Sequence, residues 1–297
     1  VSVRGDTLVY YPPYVPRTDV VEYDRRGFPL RTLLSDHGLY RPQLSPDGTQ
    51  LLVHRGDPRK GPADLWLLDI GRGTRRRLTS GLSNNWASSW SPDGTRIAFS
   101  NDRGGMYDIY TLDLSSASQP QVVVKNNRDK SEPAWTPDGR IVFMQDQPEA
   151  TAADIYLAGD ATAIIASPDY EDHPAVSPDG RWIAYTVRQG PPEGDVVMVA
   201  PFPRGRAVQI STAGGTYPAW SGDGSEIFYA APDNMLMSVA FRNGKPDMPK
   251  PLFKISRTSD RPFTVTPDGT FLVAALDLTA SDVDRIEVML NWQEKLP

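Results

Sequence analysis

The chain has 297 residues, 39% of them hydrophobic, with 31 lysines and arginines against 37 aspartates and glutamates and a net charge of −6. This mildly acidic balance excludes nucleic acid as the main partner, since phosphate binding needs a basic face, and no apolar run approaches the roughly 20 residues of a membrane helix, so no insertion into a bilayer is expected. Cysteine is absent, which excludes disulfides, thiol nucleophiles and cysteine–zinc sites; it suits an oxidising compartment, so a periplasmic or extracellular location is expected, with the cytoplasm still compatible.

The first stretch, "VSVRGDTLVYYP", reads as two short strands around a turn at Arg4-Gly5-Asp6. Two more strand patterns follow, "DVVEYD" (Asp19–Asp24) and "PLRTLL" (Pro29–Leu34). Then one unit recurs. "LSPDGTQLLVHRG", "WSPDGTRIAFSND", "WTPDGRIVFMQD", "VSPDGRWIAYTVR", "WSGDGSEIFYAAP" and "VTPDGTFLVAALD" place turn aspartates at 47, 93, 138, 179, 223 and 268. The spacings are 46, 45, 41, 44 and 45 residues. A period of about 40–45 residues is that of a four-stranded propeller blade. Proline presets φ at the first turn position, and the glycine takes the positive φ that sends the chain back. Gly222 replaces proline in one copy, and that turn is expected to survive. The strand after each turn is apolar on both faces, as in Ile97, Ala98 and Phe99. Such strands need sheets stacked on both sides.

The spacing therefore predicts an all-β fold: one β-propeller of four-stranded blades over residues 1–297, with helix negligible. Gly5 lies in phase, 42 residues before Asp47, so seven blades are preferred. A six-bladed ring with a decorated terminus is the alternative. Either ring hides its sheet edges only if both termini meet in one blade. Trp90, Trp135 and Trp220 precede the turn in register and are expected to pack between blades. Asp64, Asp108, Asp154 and Asp195 open third strands and are expected to bond neighbouring backbone.

These residues carry a resemblance. "EPAWTPDGRIVF", "HPAVSPDGRWIAY" and "ASSWSPDGTRIAFSNDRGGMYDIYTLDL" resemble the PD40, or WD40-like, repeat of the TolB-like propeller superfamily over nearly the whole chain. "IEVMLNWQEKL" after the last turn resembles the C-terminal propellers of bacterial serine/threonine kinases and related sensors, notably in acidobacteria. The resemblance implies a binding platform or a gating domain, with a kinase or other sensor module ahead of Val1 as one expectation. Fold alone does not fix function.

No catalytic motif accompanies the repeats: the sequence has no G-x-S-x-G elbow, no H-E-x-x-H and no P-loop. The expectation is a non-enzymatic binding, sensory or scaffold propeller, a monomeric domain presenting one face to a protein, peptide or glycan and needing no cofactor. The rival is a metal-dependent lyase or hydrolase at the channel mouth. It rests on His37, His54 and His173, with a divalent metal or calcium as cofactor. The segments leading into the innermost strands converge on that mouth. They carry Arg41, Trp86, Glu132, Asp172, His173, Tyr217 and Arg261, which are the predicted ligand-binding residues. Arginine suits carboxylates and phosphates, and Trp or Tyr suits sugar and aromatic faces.

Overall fold

The computed structural model describes residues 2–4, 7–10, 17–56, 62–116, 118–147, 152–190, 194–255, 261–276 and 287–290. Among these no helix occurs, and so none long and apolar enough to cross a membrane. The Gly5 turn of the opening stretch lies outside the described residues.

The strands run in chain order as follows. β1 (Ser2–Arg4) and β2 (Thr7–Tyr10) form a hairpin, and β3 (Arg17–Tyr23) and β4 (Pro29–His37) form another. β5 (Leu39–Leu44), β6 (Gln50–Arg55), β7 (Asp64–Asp69) and β8 (Arg75–Arg77) make a four-stranded sheet. β9 (Asn85–Trp90), β10 (Arg96–Asn101), β11 (Asp108–Asp113) and β12 (Gln121–Val124) make a second. β13 (Lys130–Trp135), β14 (Ile141–Asp146) and β15 (Ala153–Leu157) share one sheet with β16 (Tyr170–Val176), β17 (Trp182–Arg188), β18 (Val196–Pro201) and β19 (Val208–Gln209). β20 (Thr216–Trp220), β21 (Glu226–Ala230) and β22 (Met235–Arg242) follow; β23 (Lys245–Pro246) extends the end of β22, and β24 (Lys250–Lys254) completes the blade. β25 (Phe263–Val265) and β26 (Phe271–Leu276) join β3 and β4, with Phe271 opposite Tyr23 and Leu276 opposite Thr18. β27 (Glu287–Leu290) pairs with β2.

The inner strands β5, β9, β13, β16, β20 and β25 pack each beside the next, and β25 packs beside β5, so the ring closes. Closure uses strands from both ends of the chain, as edge protection requires. Among the described residues the predicted seven blades do not form, and neither do six separate ones. Four four-stranded blades stand alone: β5–β8, β9–β12, the β20–β24 blade, and β25–β26–β3–β4. The span between β9 and β20 is the seven-stranded sheet. Two local facts explain the difference. In the shortest repeat the fourth strand shrinks to a bridge, Ile155↔Ile165, and the short link that follows lays Tyr170 beside Ala153 in one parallel pair. The opening hairpin β1–β2 pairs with β27 in a sheet of its own and supplies no ring blade.

Packing between blades follows the sequence pattern. Leu52, Leu65 and Leu67 of one blade meet Trp90, Ile97, Phe99 and Tyr110 of the next. The tryptophans also stitch neighbouring inner strands. Trp90 Nε1 donates to Gln43 O at 3.4 Å, Trp135 to Ser89 O at 3.3 Å and Trp220 to Ala175 O at 2.9 Å. The outer turns are locally self-contained. Ser91 Oγ donates to Asp93 Oδ1 at 2.6 Å, Asp93 accepts from Thr95 N at 3.0 Å, and Gly94 sits at φ 69°. The turn at Gly222 keeps this geometry without proline, with Ser221 Oγ on Asp223 at 2.7 Å. The third-strand aspartates depart from expectation: Asp64 takes Arg77 and Thr79 side chains, Asp108 takes Lys130, and Asp154 takes Gln147.

Candidate functional site: a ring of left-handed residues at the channel mouth

Each of five inner strands starts with a break in register. The breaks lie between Tyr40 and Gln43, around Ala87, and between Ser131 and Ala134, Asp172 and Ala175, and Thr216 and Ala219. At each break one non-glycine residue is left-handed: Arg41 (φ 49°), Ala87 (29°), Glu132 (50°), His173 (51°) and Tyr217 (59°). In four of the five a proline follows, at 42, 133, 174 and 218. Proline has no N–H to give the neighbouring strand. The ladder therefore skips, and the residue before it bulges out of register. Bulky residues in this region of φ cost of order 1–3 kcal/mol each and persist only where surroundings hold them. Here the surroundings are the other bulges.

Arg41 Nη2 donates to Glu132 Oε1 at 2.6 Å, and both side chains are buried, 1% and 4% exposed. They come from β5 and β13, with β9 between. The bulge residue of β9 is Ala87, too small to keep them apart. Arg261 Nη2 lies 3.6 Å from the other Glu132 oxygen. The Arg41 guanidinium stands over the Trp86 ring at 5.0 Å. The His173 and Tyr217 rings meet edge to face at 4.3 Å. His173 Nδ1 lies 3.4 Å from Asp172 Oδ2, and Asp172 also accepts from Arg188. The structure thus brings all seven predicted residues into one neighbourhood. Trp86 and Asp172 sit one place before the bulge, in positions of their own.

Electrostatics make the ring self-compensating. Burial alone would raise the Glu132 carboxyl, but Arg41, His173 and Arg261 outweigh it and hold the group well below the usual carboxylate range. Burial pushes His173 down, and Arg261 and Arg41 push the same way against Asp172 and Glu132. Of the other histidines, His54 Nε2 pairs with Ser88 Oγ at 2.9 Å and its ring tilts against Tyr40, while His37 is exposed. Among the described residues no cluster of three or more His, Asp or Glu side chains is arranged to hold a metal ion.

Beside the bulges a cleft of about 370 Å³ opens between β9, β13 and β16. Trp86, Tyr107, Lys130, Met144, Asp146 and Tyr170 line it. Lys130 is fully buried and bound to Asp108 at 2.9 Å. Tyr170 donates to Asp146 at 3.2 Å and carries the Arg188 guanidinium on its ring at 5.1 Å. Burial raises both the Asp146 carboxyl and the Tyr170 hydroxyl above their ordinary values. Sequence reasoning found Trp86 here but missed Tyr107, Met144 and Tyr170. Met144 lies within the repeated strand β14, Tyr107 in the loop before β11 and Tyr170 at the start of β16, and no pattern in the sequence marks them as neighbours. The x-Pro pairs at the bulges were a readable signal for the ring itself.

The sequence compares with known proteins as follows. Residues 35–201, more than half of the chain, match the family model PD40, described as the TolB beta propeller domain. An uncharacterized protein of Agrobacterium fabrum (strain C58) is 27% identical over 209 residues, 66% of this chain and 69% of that one. The Tol-Pal system protein TolB of Francisella tularensis subsp. tularensis (strain WY96-3418) is 29% identical over 149 residues, 48% of this chain; the match spans 34% of that protein. A structure from Agrobacterium tumefaciens, provisionally named TolB, superposes with a TM-score of 0.71 at 21% identity, covering 88% of this chain and 98% of that one; at that identity it speaks for the fold. With its repeats matched in sequence and its closed ring of blades in structure, the chain belongs to the TolB beta propeller (PD40) family.

Proposed function

We propose that the protein is a non-enzymatic binding propeller that presents its lead-in face to a protein partner. The observation that carries this reading is the buried Arg41–Glu132 pair. An ion pair spanning the inner strands leaves the ligand a surface with shallow clefts, and such a surface suits a macromolecule better than a small substrate. The aromatic side chains beside it, Trp86, Tyr107 and Tyr170, are of the kind that anchors protein interfaces. The relatives named after the Tol-Pal system support a partner of that class and a periplasmic or extracellular setting. In this reading residues 1–297 act as one monomeric domain that needs no cofactor. Arg41, Trp86, Glu132, Asp172, His173, Tyr217 and Arg261 shape the face, and Trp86 touches the partner directly.

A photo-crosslinking amino acid at Tyr107, on the lead-in face, and at Thr95, on the turn face, tests this in cells of the source organism. Adducts with one discrete protein are expected from position 107 and not from 95, and they should weaken when Trp86→Ala is added. Adducts from the turn face alone would reverse the assignment of faces.

A further inference from the structure

A second cleft, of about 420 Å³, lies apart from the bulge ring, where the two welded repeats meet. Its walls are Ile164, Ile165, Tyr185, Val187, Val196 and Met198, most of them part of the core between these repeats. Ser167, Gln189 and Gln209 also line it, together with Glu171, which is 1% exposed. Its Oε1 accepts from Ser167 Oγ, and its Oε2 has no hydrogen-bond donor. The lining residues include a second acid, Asp169, and no lysine or arginine. Behind Glu171, on β15, stands Asp154, whose Oδ2 is held by Gln147. A buried carboxylate oxygen without a donor is costly, and proteins of this kind of packing rarely leave one.

We propose that this cleft is a ligand site of its own, taking a small organic cation whose ammonium group binds Glu171 and whose apolar part lies against Ile164, Ile165, Val187 and Met198. The ammonium supplies the donor that Oε2 lacks, and the walls bury the carbon skeleton. Nothing in this assignment depends on the lead-in face.

The carboxyl has a defined proton chemistry. Burial lifts Glu171 to about 7, opposed by the Ser167 hydrogen bond and reinforced by the charges of Asp154 and Asp169. Tyr185 faces the same carboxyl from β17 and is itself pushed up to about 12 by burial and by Glu171. Asp154 is also raised by burial. A bound ammonium takes the place of the proton on Glu171. Cation binding therefore releases a proton near neutral pH and tightens as pH rises through about 7.

Calorimetry with 2-phenylethylammonium tests the site, with 3-phenylpropionate as the anion of like shape. Binding of the cation alone is expected at about pH 8, with proton release detected by comparing buffers of different ionisation enthalpy. Affinity should fall roughly tenfold or more in Glu171→Gln, the loss expected for a charge-assisted hydrogen bond. Ala207→Phe, a bulky substitution at another lining residue, keeps the test independent of any effect of the first variant on folding; it should abolish binding. Equal affinity in either variant, equal binding of the anion, or no heat from the cation up to about 10 mM would overturn the proposal.

Discussion

At its far end each inner strand reverses through a glycine, and at their near ends four of the six begin with a bulky residue held at positive φ. Gly94 represents the first solution and Glu132 the second, at φ 69° and 50°. The turn is closed by its own neighbours: Ser91, Asp93 and Thr95 satisfy one another within five residues. Those bonds hold the exposed Asp93 carboxyl down at about 2. The bulge is closed by residues far away in sequence, Arg41 at 91 positions' remove and Arg261 from the closing blade. Local closure can be copied from blade to blade, and so it is. Long-range closure needs a different residue in each blade, because a ring of identical charges would repel itself.

The largest test of this contrast is Glu132→Ala. Removing one partner of a buried pair leaves Arg41 charged without its carboxylate, which costs about 3–5 kcal/mol. Chemical denaturation of the variant against wild type reads the loss directly. The pH dependence has a fixed sign. Glu132 is depressed in the folded state, so its contribution is present above the unfolded value near 4.5 and is lost as pH falls below it. Wild type should therefore lose stability below about pH 4.5 more steeply than Glu132→Gln.

Glu171 shows the opposite sign. It is raised from 4.5 to about 7, so its neutral form favours folding below pH 4.5 and that contribution is lost as pH rises to about 7. The difference amounts to something on the order of 3 kcal/mol. Glu171→Gln should flatten the stability profile between these two values and leave the acid limb set by Glu132 unchanged. An unaltered profile would show that Glu171 ionises normally, and the cleft would then lose its buried acid.

Gly215 sits two residues before the Tyr217 bulge, and its importance is steric. A Cβ there would lie 2.5 Å from Tyr229 Cδ2 and 3.3 Å from Ser211 Cβ. Tyr229 is 1% exposed and has nowhere to swing. Gly215→Ala should therefore destabilise by about 1–3 kcal/mol through overpacking, measured as a lowered denaturation midpoint with unchanged slope.

The sequence was most legible where closure is local. The S-P-D-G units revealed the blades, their turns and the packing of Trp90, Trp135 and Trp220, because each depends on residues a few positions apart. The count of blades was misjudged where local pattern stops deciding. Nothing in the Arg4-Gly5-Asp6 stretch says that β2 pairs with β27, and nothing in "AIIASPD" says that a fourth strand shrinks to one bridge. The candidate residues were chosen for their variety at equivalent positions, and the structure does bring them together. That Arg41 chooses Glu132 across β9 depends on the smallness of Ala87 and on the ring's curvature, neither of which a single repeat encodes. Tyr170 was invisible for the same reason, and Glu171, though it stands in the lead-in segment just before Asp172, could not be singled out there: their neighbours come from the weld between two repeats.

The smallest expected effect is also the sharpest test of the contrast. In Gly94→Ala the new Cβ meets nothing closer than Pro46 Cδ at 3.5 Å, an ordinary contact. The cost is then that of an alanine at φ 69° alone, about 1 kcal/mol. If turns close locally and bulges close through the ring, the two classes of substitution must combine differently. Gly94→Ala with Glu132→Ala shares no partner and should add within about 0.5 kcal/mol. Arg41→Ala with Glu132→Ala removes both charges of one pair, so the double variant should be less damaged than the sum by about 1–3 kcal/mol. Both cycles can be read from denaturant midpoints of the same six proteins. Strong coupling between Gly94 and Glu132 would mean that the turn feels the ring through the length of the inner strand, and the separation between a repeated, self-contained face and a varied, mutually dependent one would no longer hold.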